Sequence, residues 1–170
     1  GPEVGATIPH PHGQIYAFDA VPPEPLKELV DGVLESPPTE LVVSTRGAWT
    51  AWVPAAASWP FELRLAASDG AGALTDPECD RDGLAAVLVD VLARLDQLFD
   101  APMPYMLWVL QRPTDGADWP DARLHVHVAP LLRSPGTQRY VAAGELGAGT
   151  YFNPVVPADA AAALRGLPGA

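Results

Sequence analysis

Asp82-Gly-Leu-Ala-Ala-Val-Leu-Val-Asp-Val-Leu-Ala-Arg-Leu-Asp-Gln-Leu-Phe99 carries the most regular pattern in the chain. Leu84, Val87, Leu88, Val91, Leu95, Leu98 and Phe99 recur at steps of three and four residues, the spacing of a single helix face. Acidic residues at its start suit the positive end of a helix dipole. A helix with one buried side is therefore expected, and the segments around it read as strands that offer that side a partner. Leu41–Ser44 and Trp49–Val53, joined across Thr45-Arg46-Gly47, form a hairpin pattern, and Phe61–Leu65 alternates as a third strand of an antiparallel meander. Beyond the helix, Met103–Gln111 and Leu124–Leu132 read as apolar strands separated by turn residues Pro113, Gly116 and Pro120. Arg139–Ala143 reads as one more strand. Shorter helices are expected over Glu24–Glu35, where Leu26, Leu29, Val30, Val33 and Leu34 have helical spacing, and over Pro157–Leu164, which opens on a proline. The order of strands, long helix and strands predicts an α+β fold, an antiparallel sheet with helices packed on it.

Composition narrows the partners. A length of 170 residues suits one globular domain, and 48% apolar residues suffice for a core. Ten Lys and Arg against 21 Asp and Glu give a net charge of −11, which argues against DNA or RNA gripped through its phosphate backbone. A small phosphorylated ligand needs only local donors and stays open. The lone Cys79 in a Pro/Asp-rich turn allows no intrachain disulfide and no cysteine-only metal site, so it reads as inert and a reducing, cytoplasmic setting is expected. No apolar run approaches the roughly 18 residues of a membrane helix, and no signal pattern opens the chain. The chain begins at Gly1 rather than Met, the mark expected of a processed product or of a piece of a longer protein.

The four histidines fall into two His-x-His pairs, His10/His12 and His125/His127. On an extended strand alternate side chains share a face, so each pair turns both imidazoles the same way. Such a pair suits a metal, a phosphate, or a nucleophile with a helper. Pro9 and Pro11 exclude a helix around the first pair and favour an edge strand or loop, while Ile15, Tyr16 and Phe18 after it call for a core. An imidazole nucleophile needs one nitrogen free and the other held, typically by a backbone carbonyl. Gly13 lets backbone approach a phosphate, Gln14 can donate to a phosphoryl oxygen without adding charge, and Gly5 and Thr7 can add an amide and a hydroxyl.

His10-Pro-His-Gly-Gln14, within Gly5-Ala-Thr-Ile-Pro-His-Pro-His-Gly-Gln-Ile-Tyr-Ala17, resembles the active-site signature of the galactose-1-phosphate uridylyltransferase family of the histidine-triad superfamily. Trp49-Thr-Ala-Trp-Val-Pro54, Trp59-Pro-Phe-Glu62, Leu95-Asp-Gln-Leu-Phe-Asp-Ala-Pro-Met-Pro-Tyr105 and Leu124-His-Val-His-Val-Ala-Pro-Leu-Leu-Arg-Ser134 resemble the same family in the same order. The resemblance implies a histidine-triad-like fold and transfer of a uridylyl group between UDP-glucose or UDP-galactose and a hexose 1-phosphate. His12 would be the nucleophile that carries the uridylyl group, with Gly5, Thr7 and Gln14 at the phosphates. Arg139 and Glu145, in Arg139-Tyr-Val-Ala-Ala-Gly-Glu145, would contact sugar or phosphate across a homodimer interface. Trp49, Trp52 and Trp59 read instead as core and interface aromatics.

Zinc and iron also enter through the resemblance. His10 matches a zinc ligand whose companions, two cysteines and a histidine, lie upstream in zinc-bearing members and have no counterpart here. One side chain makes no tetrahedral site, so His10 reads rather as orienting the neighbouring backbone. Glu28, His125 and His127 match three ligands of a second site for zinc or iron. Leu110 stands where its fourth ligand, a histidine, would be, with Asp115 and Asp118 as nearby carboxylates. The implied organisation places residues 1–20 as the last strand of a first histidine-triad repeat and residues 21–170 as the complete second repeat. Two other readings compete: a related enzyme acting on ADP-sugars, and a non-catalytic dimerisation module.

Overall fold

The computed structural model describes residues 2–5, 7, 8, 10, 12–31, 34 and 37–170. Pro9, Pro11, Val33 and Glu35, which figure in the expectations above, lie outside the described residues.

Strands β1 (Val42–Arg46), β2 (Trp49–Trp52) and β3 (Leu63–Ala67) form the expected antiparallel meander. Strands β4 (Tyr105–Leu110) and β5 (His125–Pro130) complete an all-antiparallel sheet in the order β1-β2-β3-β5-β4. Alternation sorts the side chains onto two faces. Trp49, Ala51, Leu63, Leu65, Val126 and Val128 point into the core, while the residues between them belong to the opposite face. The β1–β2 turn depends on Gly47, which has φ +54° and on which a Cβ would lie 2.1 Å from Asp80 Oδ2. Strand β3 begins two residues later than its pattern predicts. Phe61 takes a left-handed φ of +58°, and Glu62 Oε2 folds back to accept from the Ser58 and Trp59 amides.

The long helix α2 (Arg81–Leu98) starts at Asp80, whose Oδ1 accepts from the Gly83 amide and whose Oδ2 accepts from the Ala48 amide at the hairpin turn. One carboxylate thus caps the helix and ties it to the sheet. Leu84, Val87, Val91 and Leu95 are buried against the core face. Helix α4 (Pro157–Gly166) lies beside α2, with the small Ala160 and Ala161 permitting close approach and Leu164 filling the seam. Helix α1 (Pro23–Asp31) meets the opposite face of the sheet through Glu28. It buries none of its residues, and Val30 is 73% exposed, so the apolar stripe that predicts this helix stays largely in solvent.

Two expectations fail. No strand forms over Arg139–Ala143; a short hairpin of β6 (Leu132–Ser134) and β7 (Thr137–Gln138) precedes it and helix α3 (Ala143–Ala148) follows. The chain bends there because Arg139 turns inward to pair with Glu145 on α3. Residues 12–18 adopt no regular structure, and Ile15 is fully exposed. Tyr16 and Phe18 stack on each other and stay exposed instead of entering a core.

The two edges of the sheet differ. Arg165 Nη1 donates to the Glu40 and Val42 carbonyls, both at 2.7 Å, along β1. Strand β4 forms the other edge, with Leu107, Trp108 and Val109 each more than one-third exposed. Among the described residues no helix is long and apolar enough to cross a membrane.

Candidate functional site

Strand β5 sends Val126 and Val128 into the core and turns His125 and His127 to the opposite face, where α1 brings Glu28. The sequence pairing of these two imidazoles therefore becomes a spatial one. Both are buried. His125 Nδ1 lies 2.7 Å from the Arg123 carbonyl and its Nε2 lies 3.3 Å from Glu28 Oε2. A carbonyl only accepts, so Nδ1 donates, and a neutral His125 turns an Nε2 lone pair toward the carboxylate. Two acceptors so placed call for a positive centre between them. His127 Nε2 lies 3.4 Å from Glu28 Oε1 and has no hydrogen-bond partner among the described residues.

Burial alone would raise the Glu28 pKa, but hydrogen bonds donated by His125 and His127, with the charges of His127 and Arg64, outweigh it and hold the carboxyl far below its ordinary range, so a proton on the imidazoles bridges the same gap that a metal ion would. Burial pushes His127 below the usual imidazole value, with Glu28 offsetting only part of that, so its lone pair is available near neutral pH. The donor atoms of Glu28, His125 and His127 all lie within 4.8 Å of one another. The 3.3 Å between His125 Nε2 and Glu28 Oε2 and the 3.4 Å between His127 Nε2 and Oε1 end on different oxygens of the carboxylate, and each is about the distance between two ligand atoms of a metal with bonds of about 2.0–2.1 Å. A half-buried carboxylate with two buried imidazoles, one oriented by a backbone carbonyl, fits a divalent ion.

Register completes the setting. Leu110 stands opposite His125, and Trp108 and Arg64 flank His127 from the two neighbouring strands. Trp108 stacks on His127 with centroids 4.9 Å apart, and Arg64 Nη2 donates to Glu28 Oε1 at 2.7 Å. Arg64, Trp108 and the Arg123 carbonyl escape a reading of local spacing. Their signal is cross-strand, and only the strand register reveals it. Asp115 and Asp118 stay outside the donor group. Asp115 Oδ1 is taken by the Ala117 amide and the Trp119 indole.

The other histidine pair lies exposed on the irregular segment, not on a strand. His12 Nδ1 lies 2.7 Å from the His10 carbonyl. By the same reasoning Nδ1 donates and a neutral His12 carries its lone pair on Nε2. Tyr16 donates its hydroxyl hydrogen to Gln14 Oε1, which leaves the Gln14 amide nitrogen as a donor. Gly5 has φ +80°, and a Cβ there would meet nothing within 4 Å. Thr7 is exposed, and among the described residues His10 joins no group of metal donors.

Arg139 and Glu145 form a buried ion pair within the chain. The Arg139 guanidinium lies over the Trp59 ring at 4.4 Å and near Tyr151 at 5.5 Å, and it donates to the Ser58 carbonyl. Hydrogen bonds from the Ala142 and Phe152 amides, with the charge of Arg139, hold the Glu145 carboxyl below its usual value. Glu145 also lines a surface cavity of about 330 Å³ with Tyr140, Phe152 and Asn153. Trp49 and Trp52 are buried, as their reading as core aromatics requires, and the Cys79 thiol is buried and unpaired, with its pKa raised mainly by desolvation.

Known proteins share this fold. The family described as galactose-1-phosphate uridyl transferase, C-terminal domain, matches residues 16–168. The galactose-1-phosphate uridylyltransferase of Thermotoga maritima is 34% identical over 97% of this chain and 57% of its own length. A solved uridylyltransferase structure superposes with a TM-score of 0.85 at 27% identity, covering 98% of this chain and 57% of that one. A Hit-like protein from Bartonella henselae reaches a TM-score of 0.50 at 15% identity over 82% of this chain and 92% of its own, which shows the fold alone. The chain spans about half the length of the curated relatives it matches. Sheet, helices and sequence agree along nearly its whole length, and the chain belongs to the galactose-1-phosphate uridyl transferase C-terminal domain family.

Proposed function

We propose that this chain carries the nucleophile and the second histidine-triad-like repeat of a UDP-glucose:hexose-1-phosphate uridylyltransferase. His12 Nε2 attacks the α-phosphorus of UDP-glucose. A phosphorus–nitrogen bond forms as the bond to the oxygen of glucose 1-phosphate breaks, and glucose 1-phosphate leaves with that electron pair. A phosphate oxygen of galactose 1-phosphate then attacks the same phosphorus, releasing the imidazole and forming UDP-galactose. One intermediate shared by two half-reactions makes the kinetics ping-pong. Gln14, Thr7 and the backbone at Gly5 bind phosphoryl oxygens. Such transfer needs positioning and stabilised oxygens more than ionisable groups.

The observation that carries this reading is the 2.7 Å contact between His12 Nδ1 and the His10 carbonyl, which commits one nitrogen and leaves Nε2 as the attacking atom. A protein containing this chain, incubated with uridine-labelled UDP-glucose, should take up an acid-labile label that galactose 1-phosphate discharges. His12→Asn should reduce the label to background. Label persisting in that variant, or transfer from ADP-glucose in preference to UDP-glucose, overturns the assignment.

Within the same reading, residues 1–20 belong to the end of a preceding repeat and residues 21–170 form the second. Two copies associate as a homodimer in which Glu145, held by the buried Arg139, lines the cavity that faces the sugar. Support for a dimer comes from Tyr140, Leu146 and Phe152, large apolar side chains left mostly exposed around that pair. Glu28, His125 and His127 would hold zinc or iron(II), which supplies a cross-link between α1 and β5 rather than a reacting group. His10 orients backbone and holds no zinc. The single buried thiol, Cys79, suits a cytoplasmic setting.

A further inference from the structure

We infer that Glu62 is a positioning residue for the Glu145 carboxylate: it sets two peptide planes whose carbonyls anchor Arg139 and Asn153, and these in turn hold Glu145 in the cavity it lines. The inference rests on the proposal that this cavity faces the sugar of a uridylyl donor. Glu145 Oε1 accepts from Arg139 Nη2 and from the Phe152 amide at 2.8 Å, and Oε2 accepts from the Ala142 amide at 2.6 Å. Only the Ala142 contact is local to α3, at its N-cap. The other two come from segments that are both pinned to one turn. Arg139 Nη2 also donates to the Ser58 carbonyl at 3.3 Å, and its guanidinium lies over the Trp59 ring. Its Nε and Nη1 have no hydrogen-bond partner among the described residues, so Nη2 carries the directional contacts. Asn153, next to Phe152, donates from Nδ2 to the Ala57 and Trp59 carbonyls at 3.1 and 3.2 Å.

Two of these carbonyls share a peptide plane with an amide that Glu62 holds. Glu62 Oε2 accepts from the Ser58 amide at 2.7 Å and from the Trp59 amide at 3.0 Å. The Ser58 amide lies in one plane with the Ala57 carbonyl, and the Trp59 amide in one plane with the Ser58 carbonyl. Both peptides are trans, and in a trans peptide the N–H and C=O point in opposite directions. Gathering the two amides on one carboxylate oxygen therefore aims the two carbonyls the other way, at Asn153 and at Arg139. The turn needs such a hold, because Phe61 has a left-handed φ of +58°, which a residue with a Cβ keeps only where its surroundings impose it. Glu62 is itself buried and does not line the cavity. It acts through the turn and not on a ligand.

The test follows uptake of label from uridine-labelled UDP-glucose by a protein containing this chain, as initial rate against UDP-glucose concentration. Glu62→Ala should raise the half-saturating concentration about tenfold and leave the maximal rate nearly unchanged, since a misplaced sugar contact costs binding, whereas a smaller folded fraction would lower only the maximum. Glu62→Gln keeps an acceptor oxygen for the two amides and should stay within about twofold of wild type. Glu145→Ala should raise the same constant, and Glu62→Ala added to it should raise it no further, because both changes remove one contact. A half-saturating concentration that Glu62→Ala leaves unmoved, a Glu62→Gln as impaired as Glu62→Ala, or effects that multiply in the double variant overturns the positioning role and spares the uridylyl reading. Wild type that takes up no label overturns both. Should Glu62→Ala not fold, Asn153→Ala, which cuts the second anchor, takes its place in the same cycle with the same expected and overturning outcomes.

Discussion

Asp90 sits wholly buried on α2 and holds two guanidinium groups, Arg46 from β1 at 2.8 Å and Arg94 one helical turn away at 3.1 Å. Arg94 Nη1 in turn donates to the Leu164, Arg165 and Leu167 carbonyls at the end of α4. Removing the carboxylate would leave both guanidinium groups without their counter-charge, Arg94 keeping only its carbonyl partners. Asp90→Asn should lower the unfolding free energy by about 3 kcal/mol in urea, the low end for a buried pair because Arg46 is partly in water. Burial alone would raise the Asp90 pKa, but hydrogen bonds from Arg94 and Ser44 and the charges of Arg94 and Arg46 outweigh it and keep it below the ordinary value. A depressed folded value means the contribution is fully present above the unfolded carboxylate pKa of about 3.9 and is lost as pH falls toward the folded value. The gap between wild type and variant should therefore narrow below about pH 4. Residues of this kind resist sequence reading. His125 and His127 declare themselves by alternation, but Glu28 stands 97 positions away from His125, and only the family resemblance links them.

Helix α2 was legible because its apolar side chains repeat on one face, and its observed bounds differ from the pattern by one residue at each end. The same pattern yields a paired prediction. Leu95→Ala, at a fully buried site, should cost about 3 kcal/mol by urea denaturation, whereas Val89→Ala, 57% exposed on the same helix, should change stability by less than about 0.5 kcal/mol. Equal effects would mean that the helix is rotated from the face described. Strand β3 is readable from alternation, β1 and β2 from their hairpin pattern, and β4 and β5 as apolar runs, β5 being buried on both faces. Arg139–Ala143 was misread for a physical reason. Its Tyr140 and Val141 favour an extended strand, yet the ion pair with Glu145 and the aromatic rings of Trp59 and Tyr151 turn Arg139 inward. Tertiary contacts of one buried side chain override local propensity there.

Taken whole, the molecule is well packed between the sheet and helices α2 and α4 and poorly covered elsewhere. Tyr140, Leu146 and Phe152, each at least 65% exposed, concentrate apolar surface around the Glu145 cavity. Surface of this kind marks an interaction site more often than a solvated face. Sedimentation should show concentration-dependent dimers of this chain, and Phe152→Asp should weaken association about tenfold or more without changing the far-ultraviolet circular dichroism. A monomer at all concentrations would remove the dimer from the proposal. The exposed Ile15, Tyr16 and Phe18 belong to the same scale. Their hydrophobicity is plain in the sequence, whereas their exposure is set by tertiary packing that local spacing does not encode.

The unequal edges of the sheet also set how it can grow. At β1 the guanidinium of Arg165 already occupies the outward carbonyls of Glu40 and Val42, so a further strand would have to displace a charged donor. Among the described residues no hydrogen bond of this kind covers the outward edge of β4. Strand addition is therefore favoured at one end over the other, which suits a single joined module or a closed pair better than an edge-to-edge succession of sheets.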